Sequence, residues 1–290
     1  MSSVSVGAAI TASFAFLATA WRRAWGILLT LVLLSATIEA LPLFGPGLAR
    51  VPVLGALATL LVSTAATGAF YRIGLAAEHA GDPAFRVGPL GFNWGGVEWR
   101  ILAANLVVGA IFFVLAVFVL FIWAIAFGVS AATQGVDAQM LQAASSSGQA
   151  LQLFRRIMMG PAGIVTLIIA APFVVGLVLL GAKLALFAIT AVDLKRFAFG
   201  LAWSLTRGAL AALIVTTIVI FAVQGFAGTA LGLLGQGVAV ISGHGDSAAI
   251  WGGVVRETIN AGVNVPLISG LQIFVYRARR QDPGVAQTFA

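Results

Sequence analysis

The chain has 290 residues, of which 61% are hydrophobic and only 9% charged, with 16 Lys and Arg against 9 Asp and Glu for a formal charge of +7. Soluble domains are about half apolar and about a quarter charged, so this composition excludes a water-soluble globule and leaves a lipid bilayer as the fitting solvent. The absence of cysteine excludes disulfides, thiol nucleophiles and thiolate metal sites, and the cations sit dispersed at the ends of apolar runs, which excludes nucleic acid as a partner.

A helix needs roughly 20 mostly apolar residues to cross a hydrocarbon core of ~30 Å. Six runs meet that length, at about 24–42, 51–72, 101–128, 161–183, 209–235 and 256–276. They predict an all-α, polytopic integral membrane protein, folded as one membrane-embedded domain over residues 1–290. Ahead of the first run, residues 3–23 place Val6, Ile10, Phe14, Leu17 and Trp21 on one face at spacings of three and four. The cations Arg22 and Arg23 follow this apolar part, the reverse of a secretory signal, and predict an amphipathic helix lying on the cytoplasmic face. Pro42 to Pro46 reads as the tight turn of an antiparallel hairpin joining the first two spans.

Within the second run Gly55, Thr59, Ser63 and Thr67 recur every four residues, a small-residue face suited to close helix packing, with a polar pore lining as the alternative. Glu78, His79 and Asp82 then read as a solvated turn, since their spacing matches no metal motif. Gly88 to Gly96 is glycine-rich but lacks the Lys and Ser or Thr of a phosphate loop, and Phe92, Trp94 and Trp99 suggest a segment resting on the membrane. The third and fourth runs exceed the bilayer thickness, with Pro172 as the expected kink. From about 194 to 207 a second interfacial helix is expected, capped by Asp193, with Leu194, Phe197, Leu201 and Leu205 as its apolar face and Gly208 as the turn into the fifth span. Gly228 and Gly232 form a GxxxG packing pair in that span, with dimerisation as the alternative. His244 and Asp246 read as another solvated loop.

Lysine and arginine are retained on the cytoplasmic side of short loops. With both termini inside, all but Arg50, Arg155, Arg156 and Arg256 fall on that side, which predicts a bacterial cytoplasmic (inner) membrane protein. Trp21 with Arg22 and Arg23, Trp99 with Arg100, and Lys195, Arg196, Trp203 and Arg207 precede the odd-numbered spans, and Arg277 closes the last. These are the expected lipid-headgroup anchors, and they divide the chain into three helical hairpins, each entered through a cytoplasmic amphipathic stretch.

The segment Ala202 to Gly208, AWSLTRG, placed between KLALFAITAVD and a long apolar run, together with the Tyr276 and Arg277 ending, resembles bacterial multi-spanning proteins grouped with the glycerophosphoryl diester phosphodiesterase membrane-domain family. The resemblance implies a membrane architecture only, because the catalytic domain that gives the family its name is absent. Lys183 stands where the family pattern leads one to expect arginine with a nearby proline.

Burying an ionisable group in hydrocarbon costs at least ~2.5–3.5 kcal/mol, so a charge inside a span is the default functional suspect. Glu39 and Lys183 are the two expected there; Lys183 closes its span and reaches the headgroups. No cofactor or metal is expected. The partners expected are membrane lipids, and another membrane protein or a second copy of the chain. The leading expectation is a non-enzymatic structural, accessory or lipid-associated component. The first alternative is a small transporter whose path passes Glu39, Thr59, Ser63 and Thr67, and the second is a membrane-embedded lipid enzyme.

Overall fold

The computed structural model describes residues 4–44, 52–137, 139–140, 142–143, 149–241, 243 and 248–281; Arg50, His244 and Asp246 lie outside them. The described residues form helices and turns with no strand. Among the described residues ten α-helices are taken in order: α1 (Val6–Ala40), α2 (Pro52–Leu75), α3 (Gly96–Thr133), α4 (Ala150–Met159), α5 (Pro161–Leu184), α6 (Phe187–Asp193), α7 (Phe199–Leu205), α8 (Leu210–Ile241), α9 (Ala248–Ile259) and α10 (Val265–Arg280). Among the described residues six segments are long and apolar enough to cross a membrane: Val6–Phe44, Leu54–Leu75, Pro89–Thr133, Gly163–Asp193, Leu210–Val238 and Ile250–Arg280. They make the chain an all-α protein of polytopic membrane type.

The chain divides into two compact units, one of Met1–Asn105 with Ala182–Ala290, the other of Leu106–Gly181. In the second unit α3 and α5 run antiparallel, since Phe118 meets Phe173 while Ala126 O accepts from Thr166 Oγ1, so contacts descend one helix as they ascend the other. Phe154 of α4 stacks on Phe127, and Gln134 Nε2 donates to Ile157 O at 2.9 Å. Val114, Phe121 and Ile168 are exposed, an apolar surface suited to lipid.

In the first unit α1 is the hub, packing against α2, α8, α9 and α10. Ile27, Leu28 and Leu31 meet Ala65, Ala66, Ala69 and Phe70 of α2. The alanines matter because helix association in lipid rests on close van der Waals packing, which small side chains permit. Ser5 caps α1 by accepting from Ala8 N, and the helix breaks at Ala24, whose φ of −134° and ψ of 31° are not helical. The turn at Pro89–Gly91 packs against that break. Gly91 has φ +87°, and a Cβ there would lie 2.9 Å from Ala24 Cα, so this glycine serves a close approach between backbones.

Between α5 and α8 the structure differs from a continuous 194–207 helix. Asp193 ends α6 instead of opening a helix: Leu194 N donates to Thr190 O, Lys195 turns to φ +56°, and helix resumes only at Phe199. Gly208, at φ +78°, makes the turn into α8.

The last span is not uniform either. Residues Asn260–Asn264 form a π-helical turn between α9 and α10. Pro266 has no N–H to donate to the carbonyl of Gly262, four residues back. Trp21 supplies the donor, its indole Nε1 reaching Gly262 O at 2.9 Å.

Candidate functional site

A cavity of about 680 Å³ opens among α1, α8 and α9, lined by Glu39, Gln224, Thr229, Gln236 and Arg256 among apolar and glycine positions. Glycines create the space. Gly228 and Gly232 are buried, and a Cβ at either would sit 3.6 Å from Arg256 Cγ or Gly252 O respectively. They pack α8 against α9 within the chain. A Cβ at Gly253 would lie 3.1 Å from Glu39 Oε2, so that glycine leaves room for the carboxylate.

A second cavity of about 450 Å³ adjoins the same carboxylate, lined by Ser35, Glu39, Thr59, Ser63 and Glu257. The structure thus brings together Glu39, Thr59 and Ser63. Thr67 lies further along α2, its hydroxyl donating to Ser63 O at 2.8 Å, and Gly55 packs on Ile38.

Two further polar residues, Asn260 and Asn264, join Gln224 and Glu257 in a hydrogen-bonded chain. Asn260 Nδ2 donates to Glu257 Oε2 at 3.2 Å, while Asn260 Oδ1 accepts from Gln224 Nε2 and from Asn264 Nδ2, each at 3.1 Å. Gln224 Oε1, Asn264 Oδ1 and, on α8, Thr216 Oγ1 are buried without a partner among the described residues. Sequence reasoning missed Glu257, Asn260 and Asn264. Their spacing of three and four on one helical face was the available signal.

The opposite end of the unit carries charges arranged differently. Arg72 and Glu98, 1% and 0% exposed, form a two-pronged ion pair: Arg72 NH1 donates to Glu98 Oε1 and NH2 to Oε2 at 2.8 Å. Arg72 Nε also donates to Ala84 O, and Gly95 N to Glu98 Oε2. Gly68 makes the room, since a Cβ there would collide with the Glu98 carboxylate. Asp193, nearly buried, gathers His79 Nε2 at 2.6 Å, Arg280 NH1 at 3.0 Å and the Tyr276 hydroxyl. Glu78 pairs with Arg277 at 2.6 Å, and Asp82 with Lys195 at 2.9 Å. The turn that carries Glu78, His79 and Asp82 is therefore tied down by partners more than a hundred residues away, not merely solvated. Among the described residues no group of three or more His, Asp or Glu suits a metal.

Of the expected anchors, Arg22, Arg23, Trp99, Lys195, Arg196, Trp203 and Arg207 are exposed and Arg100 is half-buried. Lys183 places its ammonium 5.3 Å over the Trp203 ring, a cation–π contact that sequence reading did not foresee. Trp21 and Arg277 are engaged by Gly262 and Glu78 as described.

Compared with known proteins, the chain matches no family model, no curated protein and no solved structure.

Proposed function

We propose that the protein is a small membrane transporter that binds a polar solute in the cavity beside Glu39 and passes it between helices of the first unit. The observation that carries this reading is the cavity itself, about 680 Å³ with Glu39, Gln224, Gln236 and Arg256 on its wall. That volume falls within the ~300–1,000 Å³ typical of small-molecule sites. Its wall offers both signs of charge and amide groups that donate and accept, a set that serves a hydrophilic solute and gains nothing by packing helices together. The host membrane in this reading is the bacterial inner membrane, with both termini cytoplasmic, as the distribution of Lys and Arg supports. The exposed anchors Arg22, Arg23, Trp99 and Trp203 hold it at the headgroups. Kinship with the membrane-domain family belongs to the proposal as architecture and brings no catalytic residue.

The test is uptake of labelled amino acids, polyamines and osmolytes into vesicles reconstituted with the purified chain. Flux of one class, lost in Glu39→Gln while insertion and melting stay unchanged, supports transport. No flux across the panel refutes it and returns the protein to the structural or lipid-associated class.

A further inference from the structure

The polar groups around Glu39 do not balance, and their imbalance has one sign. Among the described residues, those lining the two cavities include two carboxylates, Glu39 and Glu257, but a single guanidinium, Arg256, which lines the first cavity with Glu39 and stands with its Nε 3.7 Å from Glu257 Oε1, so that the two carboxylates share one cation. One negative charge is left over. The hydrogen-bond ledger leans the same way. Asn260 Oδ1 is already shared by two amide donors, so reversing Gln224 or Asn264 would set oxygen against oxygen. Within the chain of amides, what remains unpartnered and buried among the described residues is Gln224 Oε1 and Asn264 Oδ1, both acceptors, with Asn264 only 8% exposed. Gln224 lies roughly 21 Å into α8 from Leu210, far from the helix end where water would serve.

A site with surplus lone pairs and surplus negative charge in apolar surroundings calls for an occupant that is positive. Neutral amide oxygens with one carboxylate are hard donors suited to an alkali cation, and a divalent ion would replace the excess negative charge by an excess positive one. The location agrees. The π turn at Asn260–Asn264 departs from the α-helical bonding pattern inside a span, an irregularity that recurs where membrane proteins hold ions.

We infer that this cluster binds one small monovalent cation, with the Glu257 carboxylate as its charged ligand and Gln224 Oε1 and Asn264 Oδ1 as neutral ligands. As a coupling ion it rests on the transport reading of the same cavity; as a bound ion it does not. Binding is therefore tested without flux. The full-length protein in detergent is melted in choline chloride at fixed ionic strength while NaCl or KCl replaces the choline, with CaCl₂ as a separate arm. A saturable rise in Tm with Na⁺ or K⁺ is expected, with the half-saturating concentration raised at least about tenfold in Glu257→Gln and unchanged in Gln281→Ala, a surface control. Should Glu257→Gln fail to fold, radioactive sodium binding to the unaltered protein decides, the expected result being about one competable ion per chain. No saturable cation effect, a response to Ca²⁺ alone, an equal response in Glu257→Gln, or a Tm that follows only pH would each overturn the inference. A cation effect without flux would leave it standing and sink the transport reading.

Discussion

The two polar ends of the first unit use similar residues to opposite effect. Around Asp193 and Glu98 every carboxylate has a cation or a backbone N–H against it, and one oxygen, Glu78 Oε2, is the exception among the described residues. Around Glu39 and Glu257 the groups line open space, and the buried leftovers of the amide chain among the described residues are acceptors. The first arrangement fastens a loop and four helices to one another. The second gives up hydrogen bonds inside the apolar region, which stability alone would disfavour. Completeness of pairing separates a clamp from a binding site more sharply than the mere presence of charge in a span.

The contrast can be broken first at the clamp. Glu98→Ala leaves Arg72 buried and unpaired, and should cost about 3–5 kcal/mol, read as a collapse of melting temperature and of folded yield. Asp193→Ala removes the acceptor shared by His79, Tyr276 and Arg280, and should cost about 1–3 kcal/mol in the same melt. Between the ends, Trp21→Phe keeps an aromatic ring but removes the indole donor to Gly262 O, for about 0.5–1 kcal/mol, checked by SDS titration in bicelles. At the open end Glu39→Gln should change stability by no more than about 0.5 kcal/mol while abolishing uptake. An equal loss at both ends would erase the distinction.

The smallest effect concerns Asp82, outside the spans. The hydrogen bond from Lys195, then that from Ala84 N, holds its carboxyl below the ordinary value of 3.8. A carboxyl lowered in the folded state stabilises it above that ordinary value and loses the contribution as pH falls below it toward the lowered one. Lys195→Met should therefore flatten the acid limb of the melting curve below about pH 4 and leave neutral pH nearly untouched.

The spans were legible because run length alone reports them, and Glu39 stood out as a lone carboxylate in an apolar stretch. Its surroundings were not legible. Gln224 and Asn260 are 36 residues apart, and a small-residue face on α2 carries no sign of which helix it will meet or whether a gap will remain. Asp193 followed by an apolar periodicity looks like a cap, and its partners, 83 to 114 residues away, appear only on folding. Glu98, four residues after Trp94 and one before Trp99, sat inside an anchoring pattern that hid its pairing with Arg72.

The wide turn at Asn260–Asn264 also acts as a gear between the two ends. A π turn holds one residue more than an α turn, so it rotates everything beyond it by about 100° relative to a continuous α-helix. Glu257 is thereby in phase with the second cavity and Asn260 with Gln224, while Tyr276 and Arg280, roughly 24–30 Å beyond Asn260, are in phase with Asp193. Deleting a single residue there would turn one set out of alignment with the other, so the span can engage both ends at once only while its extra residue is kept.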